Sequence, residues 1–293
     1  MKTQIFQICY NDELLSKIPE GFLALNNVAN LRPDWREYWP IRNYLKNNYL
    51  SDDVLYGFLS PNFYNKTLLQ NRNVQSFLSD SYKNQDVVSF SPFWDLASIF
   101  KNVFEQGDFF HPGLANVCQS FCDIFMAGLD TDKIINHSEN VIFCNYFLAK
   151  KKFWLEWLDL GEKLFNCAEH EETPLAFALN RLTNYGDEQL PMKVFVQERL
   201  ANLVLAANSN ITLLAHSPFN SLPSTTPFAA FFNEAVISDS LKICHSRGGH
   251  AVYLNEFALI RDKIVSKLGG IPNVELHPNL IQDVDADRKL PIY

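Results

Sequence analysis

Two neighbouring stretches decide the fold that we predict: Asp34-Trp-Arg-Glu-Tyr-Trp-Pro-Ile-Arg-Asn-Tyr-Leu-Lys46 and Asp53-Val-Leu-Tyr-Gly-Phe-Leu-Ser-Pro-Asn-Phe63. The first stretch has aromatic and apolar residues three and four positions apart, which is typical of a helix with one buried face. Pro40 lies inside this pattern, and we expect it to kink the helix. The second stretch is a short apolar run that ends at Ser60-Pro61-Asn62. Polar side chains therefore follow a buried strand, which is where open α/β sheets bind ligands.

The composition is that of a globular protein. The chain has 293 residues, of which 47% are hydrophobic and 20% charged, enough for one large α/β domain or a core with a helical extension. The net charge of −8 and the lack of a long Lys/Arg block argue against binding of nucleic acid. No apolar stretch approaches membrane-spanning length, and the six cysteines form no C-x-x-C pair. We therefore predict a cytoplasmic protein with reduced cysteines.

Several other predicted strands also end in polar residues. The strand Ile5–Tyr10 stops at Tyr10-Asn11, and Asp86–Ser91 is followed by Pro92, Trp94 and Asp95. The longest strand candidate, Asn140–Ala149, alternates so that Asn145 shares a face with apolar neighbours. We predict that these strand ends meet on one rim and form one crevice.

Helices alternate with these strands. Amphipathic patterns predict helices over Lys152–Cys167 and Val194–Ala207, with a loop over Thr183–Pro191. From Phe228 onward the pattern is helical, with a break at Gly248-Gly249. We predict an α/β core over 1–227 and a helical extension over 228–293 that packs on it.

Familiar catalytic signatures are missing. The sequence contains no G-x-G-x-x-G after the first strand, no G-x-x-x-x-G-K-[ST], no H-E-x-x-H and no G-x-S-x-G. Classical dinucleotide binding, P-loop phosphoryl transfer, zinc peptidase and α/β-hydrolase chemistry are therefore disfavoured.

Four segments carry a resemblance to a known family: Glu37-Tyr-Trp-Pro-Ile-Arg-Asn43, Leu55-Tyr-Gly-Phe-Leu-Ser60, Asn140-Val-Ile-Phe-Cys-Asn-Tyr-Phe-Leu-Ala-Lys150 with Phe153-Trp154 after it, and Gln197-Glu-Arg-Leu200. In this order they resemble bacterial capsule and lipopolysaccharide glycosyltransferases of GT-A type, over roughly Ile5 to Ala207. The resemblance implies a Rossmann-like mixed central sheet flanked by helices. It also implies a hexosyltransferase with a nucleotide-sugar donor, a glycan or lipid-linked glycan acceptor, and peripheral contact with the cytoplasmic face of the inner membrane.

The chain departs from that family in its metal motif. GT-A enzymes usually carry Asp-x-Asp at a strand end, where two carboxylates grip a divalent cation such as Mn²⁺ or Mg²⁺ that binds the diphosphate. Here Ser60-Pro61-Asn62 and Ser91-Pro92 occupy such strand ends, and we interpret Asp130-Thr-Asp132 and Asp283-Val-Asp285 as a turn and a solvated tail. We assign no metal ligand, and metal dependence stays open, with Arg42, Lys66 or Lys150 as cations that neutralise the diphosphate instead.

The reaction suggests where to look for a base. If the transfer inverts the anomeric centre, one side chain takes the proton from the acceptor hydroxyl. Our candidates are Asp95, Glu198 and His111. The alternative reading of Glu198 is an ion pair with Arg199 inside a helix.

We predict that substrate binding uses a wider set of polar and aromatic residues. These are Tyr10, Asn11, Arg42, Ser60, Asn62, Lys66, Trp94, Asn145 and Arg247, with Trp94 as a sugar platform and Arg247 as a diphosphate contact. A plain turn explains Tyr10 and Asn11 equally well, and a break between helices explains the sequence around Arg247. The alternative function is a non-catalytic glycan-binding or assembly protein with the same fold.

Overall fold

The computed structural model describes residues 2–220 and 226–268. The strands are β1 (Lys2–Cys9), β2 (Leu23–Asn26), β3 (Val54–Leu59), β4 (Val87–Ser89), β5 (Phe147–Ala149), β6 (Leu182–Tyr185), β7 (Glu188–Pro191) and β8 (Leu213–Ala215). The helices are α1 (Asp12–Ser16), α2 (Tyr38–Asn47), α3 (Phe63–Thr67), α4 (Asn71–Ser81), α5 (Trp94–Ile99), α6 (Val103–Phe110), α7 (Leu114–Phe125), α8 (Lys151–His170), α9 (Pro174–Asn180), α10 (Met192–Gln197), α11 (Leu200–Ala207), α12 (Phe232–Gly248) and α13 (Ala251–Lys267). Short 3-10 turns cover Pro33–Trp35, Thr131–Lys133, Pro218–Asn220 and Pro227–Phe231.

The centre of the fold is a mixed six-stranded sheet in the order β2-β1-β3-β5-β4-β8. Strand β5 is antiparallel to both of its neighbours, whereas the other pairs are parallel. Strand β3 is buried along all six residues, as expected for an apolar strand covered by helices on both faces. The predicted α/β class with a mixed sheet flanked by helices is confirmed.

Each face of the sheet covers its own hydrophobic core because side chains alternate along a strand. Phe58 points into the larger core, which also contains Trp154 and Trp157 of α8. Leu55 and Leu59 point into the smaller core, which holds Val74 and Leu78 of α4. Gly57 lies between them, and a Cβ there would come within 2.1 Å of the Leu148 side chain on β5. A side chain at position 57 would therefore have to displace the end of the Leu148 side chain.

The aromatic helix predicted from Asp34 forms in two pieces. A 3-10 turn ends at Trp35, Arg36 adopts a left-handed φ of 45°, and α2 begins at Tyr38. Pro40 is therefore the third residue of α2, where the backbone N–H has no partner within the helix. The predicted kink is wrong for this reason.

Three other elements differ from the sequence prediction. The predicted strand Asn140–Ala149 forms only at Phe147–Ala149, because Cys144 and Asn145 adopt left-handed φ values of 58° and 53°. The predicted loop Thr183–Pro191 is instead the hairpin β6–β7. The predicted helix Val194–Ala207 is divided into α10 and α11 by Glu198-Arg199.

The helices after Phe228 match the predicted break at Gly248-Gly249. Helix α12 packs on α5, and the buried ammonium of Lys242 donates hydrogen bonds to the carbonyls of Ala97, Phe100 and Asn136. The domain boundary at 227/228 stays a prediction, and Asp283 and Asp285 lie outside the described residues. Within 2–220 and 226–268, no helix is both long and apolar enough to cross a membrane.

Candidate active site at the carboxyl ends of the strands

Three chain segments meet at one edge of the sheet. The parallel strands β1 and β3 end there, at Cys9 and Leu59, and the antiparallel strand β5 begins there. Ser60 follows β3, and Tyr146 precedes β5. Their hydroxyl oxygens lie 2.7 Å apart, so a hydrogen bond joins the two segments. This part of the predicted convergence is present.

Around this hydrogen bond lies a set of residues that we call the rim cluster: Glu37, Ser60, Lys66, Cys144, Tyr146 and Glu198. The side chains of Glu37, Lys66, Cys144 and Glu198 are half-buried, so solvent reaches each of them. The cluster is therefore in contact with solvent rather than sealed in the core.

Glu37 enters the cluster from the turn before α2. The left-handed residue Arg36 reverses the chain, and Glu37 occupies the position just before the helix. Its carboxyl group lies close to the Ser60 hydroxyl, which lowers the pKa of Glu37. Ser60 thus links Glu37 to Tyr146, whose hydroxyl oxygen lies 2.7 Å from that of Ser60.

Glu198 enters from the break between α10 and α11. The neighbouring Arg199 is buried and donates to the carbonyls of Val103 and Phe195 and to the side chain of Gln106. The Arg199 Nη1 atom lies 3.9 Å from a Glu198 carboxylate oxygen, too far for a direct hydrogen bond. Arg199 thus fixes the break, and the Glu198 carboxylate remains available at the rim.

Lys66, on α3, supplies the positive charge. Its Nζ lies 3.5 Å from the Cys144 sulfur, and its charge interacts with those of Glu198 and Glu37. Cys144, Glu198 and Glu37 together raise the pKa of Lys66 against the lowering effect of burial. Burial raises the pKa of Cys144 to about 11, so the neutral thiol faces the ammonium at pH 7.

The two carboxyl groups do not ionise independently. Burial and the neighbouring Glu198 raise the pKa of Glu37 to about 8, against the opposing effects of Lys66, Ser60 and Arg36. Burial also raises the pKa of Glu198, whereas Arg199 and Lys66 lower it. Two negative charges in one partly buried site repel each other, so ionising the second carboxyl costs more free energy than ionising the first. At neutral pH we therefore assign the proton to Glu37 and the negative charge to Glu198.

The backbone beside the cluster is strained. Consecutive left-handed residues other than glycine, such as Cys144 and Asn145, are costly and concentrate at functional sites. The Asn145 side chain is fully buried, and its Nδ2 lies 3.4 Å from the Gln197 oxygen. Its Oδ1 has no hydrogen-bond partner among the described residues. The strained turn thus places Asn145 against the residue that precedes Glu198.

The structure gives Asp95 and Trp94 a packing role. Asp95 is fully buried and accepts a hydrogen bond from the Thr226 hydroxyl. Trp94 is 1% exposed and packs against Phe219 and Phe232, so no ring face is open to a sugar. Both side chains pack α5 against the chain that follows β8, which disfavours Asp95 as a base and Trp94 as a platform.

Arg42 and His111 also lie in packed surroundings. Arg42 pairs with Glu162 of α8 and stands 4.3 Å from the ring centre of Phe165, so it is not a diphosphate ligand at the rim. His111 is 8% exposed and stacks on Phe195. Burial, and then Arg199, lower the pKa of His111 to about 4, which leaves it neutral. This burial and stacking disfavour the predicted catalytic role of His111.

The remaining predicted residues are placed as follows. Tyr10 lies beside Glu37, whose charge raises the pKa of the phenol in addition to burial. Asn11 caps α1 by accepting from the Leu14 N–H, as the turn interpretation requires. Asn62 is exposed at the start of α3, and Arg247 is exposed and paired with Glu139.

Sequence reasoning did not single out Glu37, Cys144, Tyr146 or Tyr185 as site residues. A usable signal existed for Glu37, a carboxylate among the Trp and Tyr residues of the motif quoted first. Cys144 and Tyr146 lie in the segment Asn140–Ala149, whose alternating pattern predicts a regular strand. Tyr185 lay in a stretch interpreted as a loop.

The rim cluster does not suit a divalent cation. The Lys66 ammonium lies among the carboxylates that would have to bind a divalent cation, and the two positive charges would repel each other. Within the described residues, no group of three or more His, Cys, Asp or Glu side chains is arranged to hold a metal. Asp130 caps the turn that contains Asp132, and Lys101 pairs with Asp132. The cation implied by the GT-A resemblance therefore has no suitable set of ligands in this part of the chain.

A recess of about 680 Å³ lies elsewhere, lined by residues of α6, α7 and α13. Four of its ionisable groups form two ion pairs, Glu105 with Arg261 and Lys101 with Asp132. None of the rim-cluster residues lines this recess. The shifted carboxylates, rather than this cavity, mark the candidate site.

A scan against protein-family models and searches of curated proteins and of solved structures found no match. The likeness to glycosyltransferases therefore depends on the four sequence segments alone.

Proposed function

We propose that the protein is a glycosyltransferase that moves a sugar from a nucleotide-sugar donor to a hydroxyl group of a glycan acceptor. The observation that carries the proposal is the pair of carboxyl groups, Glu37 and Glu198, beside Lys66 at the carboxyl ends of β1 and β3. Ligand sites of open α/β sheets occur at that edge. The sequence resemblance, whose segments contain both glutamates, supports the same conclusion.

In the proposed reaction, Glu198 is the base. The acceptor oxygen attacks the anomeric carbon while its proton passes to the Glu198 carboxylate. The bond from the anomeric carbon to the diphosphate oxygen breaks, and the nucleoside diphosphate leaves with the electron pair. The Lys66 ammonium stabilises the negative charge of the leaving group.

Glu37 has a different task in this scheme. If both carboxylates were ionised, the cluster would repel a diphosphate. With the proton on Glu37, the charges of Lys66 and Glu198 balance, and the cluster is neutral. The protonated carboxyl can also donate a hydrogen bond to an oxygen of the nucleotide sugar. Glu37 therefore makes the site compatible with an anionic donor.

Thermal unfolding with UDP-glucose, UDP-galactose, UDP-N-acetylglucosamine, GDP-mannose and CMP-sialic acid, each with and without Mn²⁺, tests the proposal. A donor at about 100 times its Kd stabilises the folded state by about 2.7 kcal/mol, which raises Tm by several degrees. If no member of the panel raises Tm at millimolar concentration, the proposal loses its basis.

Turnover tests the assignment of the base. With the donor that binds, we expect Glu198→Gln to lower kcat by about a hundredfold or more while the donor-induced Tm shift remains. Glu139→Gln is the matched control, because Glu139 is exposed and pairs with Arg247 away from the cluster. A Glu198→Gln enzyme with unchanged kcat would remove Glu198 from the reaction.

A further inference from the structure

The hairpin β6–β7 is a surface feature that the proposed reaction does not use. Its strands pair Tyr185 with Glu188 across the tip residues Gly186 and Asp187, and Gly186 has the positive φ of 57° that tight hairpin turns favour. Leu190 is the buried residue of the two strands, and most of the others are exposed. The hairpin contributes little to the core, so its sequence is free to serve binding.

The Tyr185 ring lies against two other rings of the protein, both tilted with respect to it. Its centre lies 5.7 Å from the Phe195 ring and 6.4 Å from the His111 ring. His111 in turn stacks on Phe195, with the two ring centres 3.5 Å apart. These contacts fix the orientation of Tyr185, yet 52% of the residue remains exposed.

The same ring borders the rim cluster. Burial and Glu198 raise the pKa of the Tyr185 hydroxyl, whereas Lys66 lowers it. An ion pair between Glu188 of the hairpin and Arg36, which precedes Glu37, joins the hairpin to the turn before α2. Tyr185 is thus exposed to solvent and lies within electrostatic range of Glu198, the carboxylate that we assign as the base.

We propose that Tyr185 is the stacking platform for a pyranose ring of the acceptor, an inference that rests on the proposed function for the role of Glu198. A pyranose has an apolar face of C–H groups and a rim of hydroxyls. The C–H face packs on an aromatic ring that already lies against other rings, and little conformational entropy is lost. A hydroxyl on the rim of the same sugar can then reach Glu198.

Saturation-transfer NMR with methyl β-D-glucopyranoside, methyl β-D-galactopyranoside and N-acetyl-D-glucosamine tests the platform without any donor. We expect wild-type protein to bind at least one of the three, Tyr185→Phe to bind it with similar affinity, and Tyr185→Ala to lose about tenfold or more. Tyr49→Ala is the matched control, since Tyr49 is 82% exposed and lies between α2 and β3, before the opposite end of β3. Circular dichroism verifies that each variant is folded.

Two results would overturn the platform: the absence of pyranoside binding by wild-type protein, or unchanged binding by Tyr185→Ala. These outcomes are separate from failure of the proposed function. If pyranosides bind through Tyr185 but no nucleotide sugar binds, the platform stands and the transferase falls. If a nucleotide-sugar donor is found, Tyr185→Ala should still hydrolyse it with water at the wild-type rate, whereas transfer to a sugar acceptor should fall. An equal loss of both reactions would contradict a role of Tyr185 in acceptor binding alone.

Discussion

The proton on Glu37 gives the folded protein a pH dependence that one substitution removes. Burial and Glu198 raise the pKa of this carboxyl from 4.5 to about 8. Glutamine has nearly the shape of a protonated glutamic acid and carries no charge. Glu37→Gln therefore keeps the hydrogen bonding of the neutral form and cannot ionise.

The direction of the effect follows from proton linkage. Between about pH 4.5 and pH 8 the folded state holds a proton on Glu37 that the unfolded chain has released. The free energy of unfolding of the wild type therefore falls as pH rises through this range. A tenfold change in a proton equilibrium is worth about 1.4 kcal/mol, so the full shift corresponds to about 5 kcal/mol. Since Glu37 is half-buried and solvent screens part of the interaction, we expect about 3 kcal/mol to be measurable.

Urea unfolding at intervals from pH 5 to pH 9 measures this difference. The stability of Glu37→Gln relative to the wild type should rise by about 3 kcal/mol across the range, and most of the change should occur below pH 8. Glu13→Gln is the control, because Glu13 is exposed on α1 and pairs with Lys17. If the curves of Glu37→Gln and wild type run parallel from pH 5 to pH 9, Glu37 carries no proton at neutral pH and the charge assignment of the cluster fails.

Three further predictions follow from other contacts. Lys66→Met should abolish the rise in Tm that a nucleotide sugar produces, whereas Lys66→Arg should keep part of it. Thermal unfolding with the nucleotide-sugar panel measures both variants. An unaltered Tm shift in Lys66→Met would show that Lys66 does not bind the donor. Lys242→Met should lower the free energy of unfolding by about 3–5 kcal/mol, because three buried carbonyls lose their hydrogen-bond donor. Urea unfolding measures this change, and a loss below about 1 kcal/mol would contradict a stabilising role of Lys242. Gly57→Ala should lower the free energy of unfolding by about 1–3 kcal/mol, because the added methyl group forces Leu148 away from β3. Urea unfolding measures this change. A variant as stable as the wild type would show that β5 can move aside.

Local sequence patterns were reliable where neighbouring residues alone decide the structure. The apolar run of β3 forms the predicted strand, because such a segment is stable only when covered on both faces. Gly248-Gly249 separates α12 from α13 as predicted, and Gly249 adopts a left-handed conformation with φ of 69°. The rim was also accessible to sequence reasoning, since parallel strands end at the same edge. Ser60 and Lys66 were therefore identified correctly as neighbours of a strand end.

The pattern failed where tertiary contacts override local preference. Asn140–Ala149 alternates like a strand, yet the chain turns at Cys144-Asn145 before it pairs between β3 and β4. Val194–Ala207 has the period of one helix, yet the contacts of buried Arg199 with α6 and α10 interrupt it at Glu198. Asp95 follows a strand in the same way as Ser60, but α12 covers it.

The sequence by itself determined an α/β sheet with polar residues at its strand ends, because hydrophobic periodicity and turn residues act over a few positions. Only the tertiary structure decided which of those residues meet. Glu37 precedes a helix, Glu198 interrupts another and Lys66 lies on a third. Their pKa values depend on burial and on one another's charge across the folded chain, which no local pattern encodes.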